Sequence, residues 1–491
     1  IYKLLGVVDK DEVRCQDMFE FVSKKQKEVQ KQIEDLLQDR VFEIFYGISQ
    51  IPRQSFHEEQ ISRYLVEWAQ KRGLFVVRDK HNNVLIRKAA SKAMEKEEGL
   101  ILQAHMDMVC EKALASTHDF SKDPIPWNIE GDYLTTGGET TLGADDGIGM
   151  ALAMALLEEE GEYPLLEVLL TTAEEEDLSG AAGFDTSLLQ GTRMINLDNA
   201  KDNEILCGSC GGEAVEVKIP LNREEKKEGW KLFELCITGL KGGHSGEDIH
   251  RGHGNANKFL ARVLLELEKV TELKIARIKG GTFRLAIPRE ASLVLALPQD
   301  KEEEAREKCG QVYKNLKEEY LSAAEKLEIK MCPYNGQITE VHDAEKIIHM
   351  IMFSPDNIFE MNSDMENLVS SSDNMGELYL TDGMLHIVYE IRAARNSARD
   401  YIAQVIEHLA EMMGGSSQVH SAYPGWDYHA NSVLRKFAVK VFIEQNGQKP
   451  ISRCVHAGLE CGCFFETMPE LDAISIGPNC EGLHSPQEKL S

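Results

Sequence analysis

Near the start of the chain, hydrophobic and polar positions alternate with the period of a helix. Apolar residues recur at helical spacing from 18 to 45, which predicts one long helix. We interpret it as a packed N-terminal helix, with a coiled-coil or partner-binding role as the alternative. The string Ser55-Phe-His-Glu58 has the spacing of a capping box, so a second helix is predicted to begin there and to end at Gly73.

Short apolar runs then predict strands. Two form a hairpin, three are single buried strands, and a helix over 146–159 lies among them. The runs are Leu74–Val77, Val84–Ile86, Leu100–Ala104, Leu165–Leu170 and Met194–Leu197. Strands that alternate with helices in this way predict the α/β class, a sheet covered by helices.

The middle of the chain predicts an inserted α+β module. Its strands and helices follow the order β-α-β-β-α-β of a ferredoxin-like fold. They are Phe233–Thr238, Asn255–Val270, Lys274–Ile278, Ala291–Leu297, a helix over 301–326 and Leu385–Ile391. We therefore predict a helical extension over 1–40, an α/β domain over 41–212 and 398–491, and the inserted module over 213–397.

Composition and charge narrow the function classes. The 491 residues are 42% hydrophobic, which is globular, and the formal charge is 54 − 82 = −28. Such a surface repels phosphate groups, so neither nucleic acid nor an anionic membrane is expected as a partner. The apolar run Ile1–Val8 is shorter than that of a signal peptide. Eleven scattered cysteines indicate reduced thiols and a cytoplasmic protein, and we discount the lone Cys207-Gly-Ser-Cys210 as a metal site.

Five residues with metal-ligand chemistry lie at the ends of predicted strands or just beyond. They are His105, Asp145, Glu175, Asp198 and His484. Each has a plainer explanation alone, such as a structural histidine, a helix N-cap or a solvated acidic turn. Together they favour a metal site, because ligands gather at this edge of α/β sheets. Two histidines with three carboxylates suit Zn²⁺, or alternatively Mn²⁺ or Co²⁺.

Longer strings carry a family resemblance. They include Gln-Ala-His105-Met-Asp107-Met-Val, Gly-Ala-Asp145-Asp-Gly-Ile-Gly, Lys241-Gly-Gly-His244-Ser-Gly, Gly254-Asn-Ala-Asn-Lys258 and Gly482-Leu-His484-Ser-Pro. The chain resembles the co-catalytic zinc peptidases that include aminoacylase, carnosinase and peptidase T, and within them the aminoacyl-histidine dipeptidases. The similarity spans roughly 41 to 488. It implies a zinc-peptidase catalytic domain, a mixed sheet covered by helices, with an inserted ferredoxin-like lid domain.

The resemblance also implies a metal arrangement. Two Zn²⁺ ions would share the Asp145 carboxylate and a water. His105 and Asp198 would complete one metal, and Glu175 and His484 the other. Asp198 resembles the dipeptidase and aminopeptidase members of this family, which carry aspartate at this position. The resemblance therefore supports a substrate with a free amino group.

Further roles follow from the same resemblance. Glu174 would be the general base, and Asp107 would orient His105. His244 in the lid would stabilise the oxyanion. Arg392 would clamp the C-terminal carboxylate of a dipeptide, with a surface arginine on a strand as the plainer alternative. Leu285 departs from the family, whose members usually carry asparagine there.

The implied function is hydrolysis of dipeptides with a free amino terminus, Xaa-His dipeptides among them, by a metal-bridged water and a glutamate base. One alternative is a broader aminopeptidase or an N-acyl amino acid hydrolase on the same scaffold. Another is a non-catalytic binding homologue, against which the intact Glu174 and five ligands argue. Family analogy implies a homodimer.

Overall fold

The computed structural model describes residues 15–363, 365 and 367–491, with the backbone alone for 15–25. The first fourteen residues of the predicted extension, including the run Ile1–Val8, lie outside the described residues. The helices are α1 (Cys15–Leu36), α2 (Arg40–Ser49), α3 (Glu59–Lys71), α4 (Ala144–Glu158), α5 (Glu174–Asp177), α6 (Ser179–Ala182), α7 (Ala256–Glu268), α8 (Glu302–Tyr320), α9 (Ala344–Phe353), α10 (Asn396–Met412), α11 (Val433–Asn446) and α12 (Cys461–Thr467).

Strands alternate with these helices along the chain. They are β1 (Phe75–Arg78), β2 (Val84–Lys88), β3 (Leu100–His105), β4 (Asn128–Glu130), β5 (Tyr133–Thr135), β6 (Leu166–Thr171), β7 (Arg193–Asn196), β8 (Glu204–Ser209), β9 (Gly211–Pro220), β10 (Arg223–Glu225), β11 (Trp230–Thr238), β12 (Lys274–Gly280), β13 (Ala291–Pro298), β14 (Glu328–Pro333), β15 (Glu340–Asp343), β16 (Asn357–Met361), β17 (Val369–Thr381), β18 (Met384–Ala393), β19 (Ser416–Tyr423), β20 (Ile451–Val455), β21 (Asp472–Ser475), β22 (Cys480–Glu481) and β23 (Lys489–Leu490).

The described chain divides into two compact units. The first unit contains the described residues up to Cys207, with Asn431–Ser452 and Thr467–Ser491. The second unit contains Gly208–Ala430 and Arg453–Glu466.

The first unit is built on a mixed sheet with the strand order β1-β2-β6-β3-β7-β21-β8-β20. β3 runs parallel to both β6 and β7, so the carboxyl ends of these three strands lie at one edge. β3 and β6 are buried along nearly their whole length, as expected for central parallel strands. The predicted buried strands and the hairpin β1–β2 are confirmed.

A smaller four-stranded sheet in the first unit holds the end of the chain. Its order is β22-β23-β5-β4, and Leu490 of β23 lies opposite Leu134 of β5. Leu490 and Leu134 both belong to the buried core of this unit. The loop between β22 and β23 is therefore held at both ends.

The second unit contains an eleven-stranded sheet whose strand order begins with β14-β11-β13-β12. With α7 and α8 these strands form the predicted β-α-β-β-α-β module. The fourth strand of the module is β14, so its assignment to Leu385–Ile391 was wrong. That segment lies in β18, which pairs with β17 and β9 further along the sheet. Alternation alone identifies a strand but not its partner.

Two helix predictions also need correction. The helix predicted over 18–45 is two helices, α1 and α2, because the Asp39 side chain accepts a hydrogen bond from Val41 N and caps α2. The helix predicted over 301–326 ends at Tyr320, where a short 3-10 turn, Leu321–Ala324, follows. Among the described residues, no helix combines the length and apolar character needed to cross a lipid bilayer.

Candidate metal centre

Three of the predicted ligands follow parallel strands that end at the same edge. His105 is the last residue of β3, Glu175 lies in α5 shortly after β6, and Asp198 follows β7 by two positions. Asp145 lies in the first turn of α4, where its backbone departs from helical angles. His484 lies in the loop between β22 and β23. The first unit thus brings together all five predicted ligands.

The two carboxylate oxygens of Asp145 face different histidines. Asp145 Oδ1 lies 3.0 Å from His105 Nε2, and Asp145 Oδ2 lies 3.4 Å from His484 Nε2. His105 Nε2 is also 4.0 Å from Asp198 Oδ1, and His484 Nε2 is 3.1 Å from Glu175 Oε2. These contacts form two donor sets that share one carboxylate.

The donor sets fit divalent metal ions. In each set the ligand atoms lie within 4.8 Å of one another. Two ligands of a tetrahedral zinc ion, at bond lengths of about 2.0–2.2 Å, are separated by about 3.3–3.6 Å. The measured separations of 3.0–4.0 Å bracket that range. Imidazole nitrogen and carboxylate oxygen are also the donors that zinc takes.

The charges of the site call for a cation. Burial, and next the negative charge of Asp145, raise the pKa values of Asp198 and Glu175. Hydrogen bonds with Asp145 and Glu175 raise the pKa of His484 to about 11. Burial alone would raise the pKa of Asp145, but its contacts with the two histidines hold that pKa low. A divalent cation would relieve this crowding of carboxylates.

Asp107 is fully buried behind His105. Its Oδ1 lies 3.4 Å from His105 Nδ1, so it can hold the ring with Nε2 toward Asp145. The backbone N–H groups of Glu174 and Glu175 donate to Asp107 at 3.1 and 3.2 Å. Asp107 therefore connects the predicted orienting role to the turn that carries the predicted base.

The segment before α3 supports the site in a way that the sequence did not reveal. The capping-box interpretation of Ser55-Phe-His-Glu58 was wrong, since α3 begins at Glu59 without a side-chain cap. Ser55 Oγ instead donates to Asp107 Oδ2 at 2.8 Å. Glu58 accepts hydrogen bonds from Phe56 N and from Ala173 N, next to Glu174. The Ser-x-x-Glu string was the only signal, and local spacing favoured a cap.

Two more buried charges escaped sequence reasoning. Arg53 is 2% exposed, and it donates to Met106 O at 2.9 Å, to Asp107 O at 2.8 Å and to Gly143 O. Glu488 is also 2% exposed and accepts hydrogen bonds from four consecutive backbone amides, Leu142 to Asp145. Neither Arg53 nor Glu488 lies in a metal-ligand motif or in the alternating pattern of a strand, so the sequence did not single them out.

His244 lies in the second unit, in the turn predicted from Gly-Gly-His-Ser-Gly. Its Nδ1 accepts hydrogen bonds from the backbone N–H groups of Gly246 and Glu247, at 3.2 and 3.1 Å. Its own N–H donates to Asp248 at 2.8 Å. Because Nδ1 is an acceptor, the neutral ring carries its proton on Nε2 and presents a donor there.

Arg392 lies close to the same turn and is buried. Its side chain is 4% exposed, so the alternative of a surface arginine was wrong. Its Nε donates to Ser245 Oγ at 3.2 Å, and its Nη1 donates to Tyr423 Oη at 2.9 Å. Burial, and next the positive charge of Arg392, lower the pKa of His456 to about 3. The Arg392 guanidinium also pairs with the buried carboxylate of Glu390, whose Oε1 lies 3.6 Å from Arg392 Nη2.

Known proteins resemble this chain along most of its length. The chain is 37% identical over 453 residues to the cytosol non-specific dipeptidase of Escherichia coli (strain K12), covering 92% of this chain and 93% of that protein. It is 34% identical to the crystal structure of aminoacylhistidine dipeptidase from Vibrio alginolyticus, with a TM-score of 0.82 and 92% of each chain covered. The chain belongs to the aminoacylhistidine dipeptidase family of metallopeptidases.

This membership confirms the predicted resemblance and fold class. The aminopeptidase PepT of Bacillus cereus shares the fold at 16% identity and a TM-score of 0.51, over 92% of this chain and 93% of that one. A family profile described as "Peptidase dimerisation domain" matches residues 237–324. In this member of the aminoacylhistidine dipeptidase family, that match lies within the ferredoxin-like module of the second unit.

Proposed function

We propose that the chain is a two-metal dipeptidase that hydrolyses dipeptides with a free amino terminus, Xaa-His dipeptides among them. The observation that carries the proposal is the shared carboxylate of Asp145, whose two oxygens face two separate donor sets. The printed names of the Escherichia coli and Vibrio relatives, a non-specific dipeptidase and an aminoacylhistidine dipeptidase, support this substrate class.

Five side chains would hold the metals. His105, Asp145 and Asp198 would bind one ion, and Asp145, Glu175 and His484 the other. When bound, two Zn²⁺ ions, or alternatively Mn²⁺ or Co²⁺, supply Lewis acidity toward the scissile carbonyl and lower the pKa of a water toward about 7.

Glu174 is the proposed general base. Its carboxylate would take a proton from the attacking water and give it to the leaving amine. A carboxylate oxygen of Glu174 lies within 4.8 Å of a ring nitrogen of His105 and a carboxylate oxygen of Glu175, so the proposed base is within reach of both donor sets. The hydrogen bond from Glu174 N to Asp107 holds the backbone of the base in place.

His244 and Arg392 are the proposed substrate contacts of the second unit. The Nε2–H donor of His244 suits a developing oxyanion, which needs a preorganised donor and no proton transfer. The guanidinium of Arg392, fixed by Ser245 and Tyr423, suits a carboxylate. We also propose a homodimer, supported by the dimerisation-domain match, and a cytoplasmic location, supported by the name of the Escherichia coli relative.

The test combines metal analysis with a substrate panel. The purified protein should bind two divalent ions per chain and hydrolyse Xaa-His and other free dipeptides, but not their N-acetylated forms. Asp145→Ala should lose occupancy at both sites, because one carboxylate serves both. Hydrolysis of the N-acetylated compounds alone would instead indicate an N-acyl amino acid hydrolase, and two ions without any hydrolysis would indicate a binding homologue.

A further inference from the structure

Glu488 is a buried carboxylate to which the proposed chemistry gives no role. Its Oε2 accepts hydrogen bonds from Leu142 N at 2.8 Å and Gly143 N at 3.0 Å. Its Oε1 accepts from Ala144 N at 2.8 Å and Asp145 N at 3.3 Å. Four consecutive amides thus converge on one side chain, in a loop and helix start where no backbone carbonyl satisfies them.

This contact joins two segments that carry metal ligands. The amides belong to the turn that presents Asp145, the shared carboxylate. Glu488 itself lies four positions after His484, on the loop between β22 and β23. β23 fixes that loop by pairing with β5. The position of Asp145 relative to His484 therefore depends on the side chain of Glu488.

Arg53 joins the same turn to a third segment. It donates to the carbonyl of Gly143 and to the carbonyls of Met106 and Asp107, which follow the ligand His105. The positive charge of Arg53 and the negative charge of Glu488 lie close enough to interact. The anion binds the amides of the turn and the cation binds a carbonyl of the same turn, so both peptide polarities are satisfied.

We propose that Glu488, with Arg53, is a positioning residue that sets the metal affinity of both sites. It acts through the backbone of Asp145 and contacts neither metal nor substrate. The inference rests on the proposed metal site. Groups that orient ligands from behind typically change metal affinity about 10–100-fold when they are lost.

The test measures metal binding apart from activity. Glu488→Gln keeps the volume of the side chain but loses the charge and one acceptor oxygen. The matched control is Glu481→Gln on the same terminal segment, where the exposed Glu481 pairs at the surface with Lys489 and accepts a hydrogen bond from Tyr133 Oη at 3.3 Å. Plasma mass spectrometry measures the zinc bound at a series of free zinc concentrations. The resulting curve gives the zinc affinity of the unaltered chain and of each variant. Thermal unfolding of each chain without and with zinc separates folding from binding.

We expect Glu488→Gln to weaken zinc binding about 10–100-fold at both sites, and to show a smaller rise in Tm than the control at the same free zinc. Glu481→Gln should bind zinc like the unaltered chain. The proposal is overturned if Glu488→Gln binds zinc within about twofold of the control, even if its metal-free Tm is lower. Should that variant fail to fold, Glu488→Asp is measured instead, since it keeps the charge but shortens the side chain by one methylene and so withdraws the carboxylate from the four amides. Zinc binding by this variant within about twofold of the control also overturns the proposal.

The proposed metal site itself has a separate outcome. If the unaltered chain binds no zinc, or if Asp145→Ala still binds two ions, the metal site is wrong and the role of Glu488 falls with it. If the unaltered chain binds two ions and the Glu488 variants bind zinc as tightly as Glu481→Gln, the metal site stands and the positioning role alone is refuted.

Discussion

Asp107 holds the backbone of Glu174, because its Oδ1 accepts the Glu174 N–H at 3.1 Å. The same carboxylate approaches His105 Nδ1 at 3.4 Å and is completely buried. One acid thus orients a proposed ligand and the proposed base together. Burial acts against its charge, but the contacts with His105 and Ser55 outweigh burial and hold the pKa of Asp107 below its usual range.

Asp107→Asn should therefore impair both functions of this carboxylate. The amide keeps one acceptor oxygen. Its NH₂ group replaces the other oxygen and cannot accept the hydrogen bonds that the backbone amides and Ser55 donate there. We expect zinc affinity and kcat each to fall about 10–100-fold. Zinc titration and steady-state kinetics measure the two effects. Ser55→Ala removes only one contact of Asp107 and serves as a milder control; equal losses in both variants would contradict the orienting role.

Glu174→Gln tests the base. The variant should keep both metals and lose about 10²–10⁴-fold in kcat, since a general base contributes that much. The neighbouring Glu176 is exposed, so Glu176→Gln is the matched control and should turn over normally. Loss of zinc in parallel with activity would show that Glu174, not Glu175, is a ligand.

His244→Ala tests the oxyanion donor. Loss of one such donor costs about 10²–10³-fold in kcat, and the metal content should not change because His244 belongs to neither donor set. His420→Ala, at an exposed histidine of the same unit, is the control. An unchanged kcat for His244→Ala would remove this residue from the mechanism.

Arg392→Lys tests the carboxylate clamp. Lysine cannot form the bidentate pair, so KM for dipeptides should rise about tenfold or more while kcat changes little. A dipeptide amide, which lacks the carboxylate, should show the same KM in both proteins. If the amide and the free dipeptide are affected equally, Arg392 only supports the turn at Ser245.

The buried carboxyl of Asp356, in the second unit, should make the stability of the protein depend on pH. Burial raises the pKa of this carboxyl to about 6, against about 3.9 when unfolded. The folded state therefore binds this proton more tightly, and the contribution of Asp356 to the free energy of unfolding rises as the pH falls from 7 to 4. The difference corresponds to about 3 kcal/mol at most.

Asp356→Asn should accordingly gain stability at pH 7.5 and change little at pH 4.5. Urea unfolding of the metal-free protein at the two pH values gives the free energies of unfolding. The exposed Asp382 provides the control variant Asp382→Asn. An equal effect of Asp356→Asn at both pH values would refute the raised pKa.

Local patterns were enough for much of the fold and for the proposed ligand set. The parallel strands before His105, Glu175 and Asp198 were visible as apolar runs, and polar residues at their ends marked one edge of the sheet. The ferredoxin-like order was visible too, but its fourth strand was not. Several later runs have the same period, and only pairing with β11 distinguishes β14.

Local patterns specify the period of each segment and the chemistry at its end. Which distant groups meet depends on how the whole chain folds. Asp145 N and Glu488 are 343 positions apart, and Ser55 reaches Asp107 although its local spacing predicts a helix cap. A buried carboxylate binds whichever amides the folded chain leaves unpaired beside it. That choice depends on the packing of the whole unit, which no local pattern contains.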